Sequence, residues 1–162
     1  MPLSDDFELR PVRLTDADAL RLVDEVQQEY VVRYGGPDRT PLEPAYFDPP
    51  SGAFFVGYLD EQPVAMGGWR RRQDVEAFGR SESAEIKRMY VVEAARRRGL
   101  ARRVLTHLED TARAAGADLM VLETGLMQPE AIALYESAGY VGIPGFGYYK
   151  DFANNRCYAK PL

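Results

Sequence analysis

"VVEAARRRGLARRV" occupies residues 91–104 and sets three consecutive arginines directly before a glycine and the start of a helical pattern. A helix N-terminus carries partial positive charge, so each arginine there is disfavoured by roughly 0.3–1 kcal/mol at an exposed site. The arrangement makes sense where something negative sits against it. A strand, a glycine-containing loop and a helix form the general geometry of an anion site, because free backbone N–H groups and the helix dipole both point at the ligand. Gly99 lets a phosphate approach the backbone closely and Ala101 leaves room beside it, while Arg96, Arg97, Arg98, Arg102 and Arg103 offer bidentate donors. The plainer alternative is a solvated basic turn. Two other phosphate loops do not fit: no Gly-Lys-Ser/Thr follows, and the second and third glycines of the dinucleotide fingerprint are missing.

The rest of the chain sharpens that reading. Its 162 residues suit one domain with a proper core, taken here as residues 1–162, and 46% hydrophobic with 28% charged residues is ordinary for a soluble globular protein. The net charge of −5 speaks against a general nucleic-acid binder, so a basic patch on an acidic protein suggests a small, local anion. One cysteine, Cys157, excludes an intrachain disulfide and suggests no cysteine metal cluster, so no metal is expected. The start, "MPLSDDFELR", has no apolar core of a secretory leader, and no apolar run reaches membrane-spanning length, so the expectation is a cytoplasmic protein with no membrane partner.

Periodicity divides the chain into elements. "FELRPVR" alternates as a first strand; a helix follows, with Thr15 and Asp18 resembling a capping box and Leu20, Val23, Val26 and Tyr30 at helical spacing. The Pro- and Gly-rich stretch from Tyr34 to Gly52 reads as a long loop, or a loop with a short helix. "AFFVGYLD" and "PVAMGGWR" form a hairpin about Asp60–Gln62, "RRQDVEAFGRSES" is a polar loop, and "AEIKRMYVV" is a strand. The helix from Gly99 to Gly116 carries Leu100, Val104, Leu105, Leu108 and Ala112 on one face. "LMVLET" suits a strand covered on both faces, "PEAIALYESAG" is a helix opened by Pro, and "YVGIPGFGYYKDF" with "RCYAKPL" closes an antiparallel pair. The order β-α-loop-β-β-β-α-β-α-β-β gives an α/β chain with a mixed sheet.

Two motifs in this order resemble a known family. Arg96-Arg97-Arg98-Gly99-Leu100-Ala101 is similar to the R/Q-x-x-G-x-G/A motif of the GNAT superfamily of acyl-CoA-dependent N-acetyltransferases, and "AIALYESAGY" (131–140) resembles its A-I-x-L-Y-x-x-x-G-[FY] helix. The resemblance spans essentially the whole chain. It implies a GNAT-like fold, of mixed, mostly antiparallel central sheet flanked by helices and splayed between two parallel central strands, with acetyl-CoA as co-substrate. It implies that backbone amides from Arg97 to Arg102 hold the pyrophosphate and that pantetheine runs between strands 84–92 and 119–124, pairing with backbone near Met89, Tyr90 and Val91. Arg96, Leu100 and Ala101 complete the loop. Gln128 stands where many members have Asn, a departure that puts its pantetheine contact in question.

The chemistry asks for an acid and a base. A lysine-like amine with pKa about 10.4 is about one part in a thousand neutral near pH 7.4, so a positioned carboxylate helps. Glu85 is the candidate base, sharing by alternation a side with Lys87 and Met89; the alternative is a Glu paired with a neighbouring cation on a sheet face. Tyr135 matches the family tyrosine that protonates the leaving thiolate; without the resemblance it reads as a core residue. His107 reads as structural, Cys157 as a buried small residue, and Arg70, Arg71 and Arg72 as solvated or as partners of a substrate carboxylate. Tyr30, Tyr34, Tyr46, Phe47, Phe146 and Tyr148 with Asp38, Glu43 and Asp48 suit a small cationic amine, or simply close the core and solubilise a loop. The acceptor expected is a small amine or amino-acid derivative; a protein or peptide N-acetyltransferase and a non-catalytic acyl-CoA sensor stay open, and a homodimer is admitted. A nucleic-acid module is disfavoured by the acidic charge and the lack of an aromatic–basic stripe.

Overall fold

In a computed structural model, which describes residues 6–40 and 42–162, the chain winds around one seven-stranded sheet. The reading of residues 1–5 as no part of a leader lies outside the described residues. The elements are β1 (Phe7–Val12), α1 (Ala17–Tyr34), β2 (Gly52–Leu59), β3 (Gln62–Arg72), β4 (Ser83–Val91), α2 (Leu100–Ala114), β5 (Leu119–Gly125), α3 (Pro129–Ser137), β6 (Val141–Ile143) and β7 (Asn155–Pro161), with short 3-10 turns at Pro44–Phe47 and Glu93–Ala95. The spatial order is β1-β2-β3-β4-β5-β7-β6, and every neighbouring pair is antiparallel except β4 with β5. The mixed sheet is the one expected from the element order, and its mostly antiparallel pairing is what the family resemblance implies.

Local chemistry explains most boundaries. Asp16, not Thr15, caps α1: its carboxylate accepts the backbone N–H groups of Asp18 and Ala19 at 3.0 and 3.2 Å. The buried stripe is Ala19, Leu22 and Val26, while Leu20 is 52% exposed, so the stripe sits one position away from the sequence reading. Asp60 and Glu61, both at positive φ, close the β2–β3 hairpin, the backbone that a two-residue turn with the right twist demands. α2 buries the five residues expected of it. β3 runs two residues further than expected, taking Arg71 and Arg72 out of the polar loop and into the sheet.

The sheet separates a core under α2 from one under α1, and a third, smaller cluster gathers Leu119, Val121, Phe146 and Cys157. Phe55, Trp69, Ala84, Ile86 and Leu122 face α2, whereas Phe54, Val56, Tyr58 and Met66 face α1. Alternation along β2 and β3 makes both faces apolar, as a centrally placed strand pair requires. Trp69 donates from Nε1 to Thr111 Oγ1 at 3.0 Å, which satisfies the indole where α2 crosses β3. The consequence for function is that anything on the far face of β4 and β5 looks toward α1 and the loop that follows it.

Candidate active site

The loop before α2 answers the opening puzzle with its backbone more than with its arginines. Arg97 (φ +66°) and Gly99 (φ +74°) both sit in the left-handed region, and α2 starts at Leu100. Among the described residues, the N–H groups of Arg97, Arg98, Gly99, Leu100, Ala101 and Arg102 meet no acceptor; the first closed bond runs from Arg103 N–H to Gly99 O at 3.2 Å. Six consecutive free donors at a helix N-terminus suit an anion. The side chains are mostly engaged elsewhere. Arg96 donates to Glu29 of α1 at 2.8 Å and to Val91 O at 2.9 Å, Arg102 donates to Ser137 Oγ, and Arg103 donates to Phe7 O and lies 4.9 Å from its ring. Arg97 and Arg98 stay exposed with no side-chain partner among the described residues. The five-arginine patch is thus corrected to two available guanidinium groups, because the other three brace the fold.

The second feature is where β4 and β5 part. They pair only from Ser83–Leu119 to Glu85–Val121, after which β5 stays with β7 and β4 stays with β3. Ile86–Val91 therefore has an unpaired edge, although Val91 O is already taken by Arg96. A bulge lies on the same stretch. Met66 pairs with Tyr90 but Gly68 with Lys87, and Arg88 takes φ +55°. The extra residue puts Lys87 and Arg88 on one side, and it turns Met89 to the α2 face. Strict alternation would have put Met89 with Glu85 and Lys87; the bulge corrects that placement.

The gap opens into a cavity of about 520 Å³, bounded by the end of α1, residues 35–40, β4, β5 and residues 148–155. Gln27 and Asp38 hold the loop to α1 by reciprocal bonds of 3.1 and 2.8 Å between amide side chain and backbone. Arg39 N–H donates to Tyr149 Oη at 2.7 Å and joins this loop to the far wall. A larger hollow of about 640 Å³ between β1 and α2 is an open groove that reaches the anion loop only at Gly99, Arg102 and Arg103. Tyr30, Tyr34 and Tyr148 line the β4–β5 cavity as expected, but Tyr46, Phe47, Phe146, Glu43 and Asp48 do not. Phe47 is core, Tyr46 lies beneath Arg70 at 4.9 Å, Phe146 lies beneath Arg72 at 5.3 Å, and Asp48 pairs with Arg13. Asp38 reaches the cavity but is ion-paired with Arg88; burial pushes its carboxyl up, and Arg88 with the Thr40 N–H outweigh burial and leave it below its ordinary range.

The two strands carry contrasting carboxylates. Glu85 is fully buried and ringed by Arg70 and Arg72 at 3.1 Å and Lys87 at 3.3 Å. Both arginines donate to Oε1, and Oε2 has only the Lys87 ion pair, so the geometry favours the ion-paired alternative for Glu85. Arg70 and Arg72 are accordingly part of the sheet rather than solvated. Glu123, which the sequence reading overlooked, faces the cavity from β5. Its Oε1 is buried without a hydrogen-bond partner beside Gly147, where any Cβ would collide with it. Burial pushes its carboxyl up to about 7, Lys87 pulls it down, and Glu85 adds to the rise. The available signal was a single acid inside the apolar run "LMVLET".

Tyr135 belongs to the same core cluster as Ile86 and Leu122, the first residues past the point of parting. Its ring meets Tyr140 edge-on at 5.7 Å, its hydroxyl makes no hydrogen bond among the described residues, and burial pushes the phenol well above its ordinary range. Tyr30, on the cavity wall, is pushed up to about 12 by burial, with Arg88 opposing. Gln128 lines the cavity and donates from Nε2 to Tyr34 Oη at 3.2 Å. His107 packs edge-on to Phe55 at 4.5 Å and is pushed down by burial, and Cys157 is buried with its thiol pushed up by burial; neither faces the cavity. Among the described residues no group of three or more His, Cys, Asp or Glu side chains is placed to hold a metal, and no helix is long and apolar enough to cross a membrane.

The model of the Acetyltransferase (GNAT) family matches residues 20–140, which include the anion loop, the splayed strands and α3. The chain belongs to the GNAT acetyltransferase family. It is 42% identical over 78 residues to the IAA acetyltransferase of Azospirillum brasilense, covering 48% of this chain and about half, 51%, of that relative. It is 30% identical over 142 residues to the uncharacterized N-acetyltransferase YjgM of Escherichia coli (strain K12), covering 83% and 82% of the two chains. Among solved structures, an acetyltransferase from Streptococcus agalactiae 2603 superposes with a TM-score of 0.72 at 18% identity over 98% and 99% of the chains. A GNAT family acetyltransferase from Elizabethkingia anophelis with acetyl-CoA bound gives 0.66 at 15% identity over 98% and 99%. GNAT membership makes this chain an acyl-CoA-dependent N-acetyltransferase.

Proposed function

We propose that the chain moves an acetyl group from acetyl-CoA directly to a primary amine, a small amine or amino-acid derivative, bound together with the donor in the β4–β5 cavity. The observation that carries this reading is the pairing of six free loop amides at the start of α2 with a cavity at the parted strands that holds an under-partnered carboxylate. The amides of Arg97–Arg102, with the guanidinium groups of Arg97 and Arg98, fit the pyrophosphate of acetyl-CoA. The free edge of β4 near Met89, Tyr90 and Val91 fits the amides of its pantetheine arm, with Gln128 near the same gap. Arg96 supports the loop from behind rather than touching the phosphate. Acetyl-CoA supplies an activated thioester carbonyl.

Glu123 takes the proton of the incoming ammonium, directly or through water, as the nitrogen forms its bond to the acetyl carbon. A carboxyl near 7 is matched to that task. As the C–S bond breaks, Tyr135 gives its proton to the departing sulfur and regains one from the acylated nitrogen, and its burial keeps the phenol protonated until then. Because both substrates share one cavity, no acetyl-enzyme is required.

The test is thiol release from acetyl-CoA against amines, amino acids and short peptides, alongside thermal melts. Acetyl-CoA should raise Tm through binding to the native state. Gly99→Asp, which adds bulk and negative charge at an open left-handed position, should remove most of that rise without touching the core. A full rise in a well-folded Gly99→Asp variant would place the phosphate elsewhere. Thiol release at the buffer rate with every acceptor would end the transferase reading in favour of an acyl-CoA sensor.

A further inference from the structure

The ionisable side chains lining the cavity are Asp38, Arg39, Lys87, Arg88 and Glu123, three cations against two carboxylates. Asp38 is spent on Arg88. Lys87 is shared with Glu85 behind it. Arg39 is exposed, and its guanidinium has no partner among the described residues. Arg88 is buried, and its Nε finds no acceptor although the side chain lines the cavity. A buried guanidinium N–H left unmatched is costly unless a ligand completes it. Two guanidinium groups on one cavity, one open and one short of an acceptor, match a planar carboxylate.

The opposite wall is aromatic. Tyr148, Tyr149 and Phe152 form a cluster with centroid distances of 4.7, 5.1 and 6.5 Å, and Tyr148 and Phe152 are more than half exposed at the mouth. Three rings left open beside a charged cavity mark a place for an apolar group.

Resting on the acetyl-transfer reading above, we infer that the acceptor is an amino acid with a free carboxylate and an apolar or aromatic side chain, its carboxylate held by Arg39 and Arg88 and its side chain against Tyr148, Tyr149 and Phe152. The amine then lies on the Glu123 side. The acid-rich loop suggested a small cationic amine; in the structure Asp38 pairs with Arg88, Asp48 pairs with Arg13, and Glu43 lies off the cavity lining.

The experiment compares phenylalanine, phenylalaninamide, 2-phenylethylamine and spermidine by thiol release from acetyl-CoA, and by calorimetric binding to the CoA-loaded protein. Phenylalanine should show the highest kcat/KM, at least about tenfold above its amide and the decarboxylated amine, the worth of a charge-assisted contact. Arg39→Ala should raise KM for phenylalanine about tenfold, leave kcat nearly unchanged, and leave the amide's KM within about twofold. Equal or better turnover of the amide, 2-phenylethylamine or spermidine overturns the inference while leaving acetyl transfer intact. An Arg39→Ala variant whose KM is unchanged for phenylalanine overturns the carboxylate's placement. Carboxylate-selective binding with no thiol release supports the ligand class and overturns the transfer reading. No binding and no release overturns both.

Discussion

The β4–β5 pair has a closed end and an open end, and they treat the same side chain in opposite ways. At the closed end, Glu85 sits opposite Val121 in the last parallel pair, fully buried and held by Arg70, Arg72 and Lys87. At the open end, Glu123 faces the cavity with one oxygen unpartnered and its carboxyl pushed up to about 7 by burial. Both acids lie on the face turned away from α2. Glu85 has three cations at ion-pair distance, whereas Glu123 has none that close and burial outweighs the pull of Lys87. Position on a strand does not assign the role; the neighbours brought by other strands do.

The comparison breaks most visibly at its closed end. Glu85→Ala strands three cations, two of them largely buried, and should cost about 3–5 kcal/mol in a urea melt, as loss of one partner of a buried pair does. A loss under about 1 kcal/mol would mean the cage is loose and would return Glu85 to candidacy as the base. At the open end, Glu123→Gln should leave the fold intact and lower turnover about 10²-fold or more. Wild-type turnover should fall as pH drops through about 7, with the variant's deficit shrinking above it as free amine accumulates. A deficit constant from pH 6 to 9 would remove Glu123 from the role.

Stability gives the same contrast a second reading. The folded carboxyl of Glu123 titrates above its unfolded value, so its contribution is present below the ordinary range near 4.5 and is lost as pH rises through about 7. Glu123→Gln should therefore gain stability relative to wild type across that window. Matching pH profiles for the two proteins would show that Glu123 is not perturbed by its site. Tyr135→Phe should come next, with turnover down roughly tenfold, acetyl-CoA affinity nearly kept and Tm little changed, because the hydroxyl makes no hydrogen bond among the described residues. A large loss of Tm with normal turnover would make it a packing residue alone. The smallest effect belongs to the loop: Arg98→Ala should weaken acetyl-CoA only a few-fold, since backbone amides do most of the holding. A hundredfold loss by calorimetry would move the weight from backbone to side chain.

Local signals were legible because they are local. Gly99 followed by Leu100, Val104, Leu105 and Leu108 announces the start and buried face of α2, and both are where the pattern puts them. Pro129 at the head of α3 punctuates the chain just as plainly. The cap of α1 was harder: Thr15 and Asp16 both carry the right oxygen, and only the backbone at Asp16 aims it at Asp18 and Ala19. The bulge at Arg88 was invisible, since "IKRMY" carries no glycine to flag a positive φ, and it moved Met89 to the other face of the sheet.

The sequence by itself determined the element order, the mixed sheet and the glycine loop that opens α2, because helix and strand periods, caps and glycine turns act over a few neighbouring residues. It also carried the family, through two motifs each contained in one loop or helix. Tertiary structure alone decided which charges are spent and which are free. Arg96 finds Glu29, Arg70 and Arg72 find Glu85, Arg88 finds Asp38, and Glu123 is left with Gly147 against its oxygen. Those pairings join residues 13 to 67 positions apart. A charge's chemistry is set by the groups within a few ångströms of it and by its access to water, and neither is written in the residues on either side along the chain.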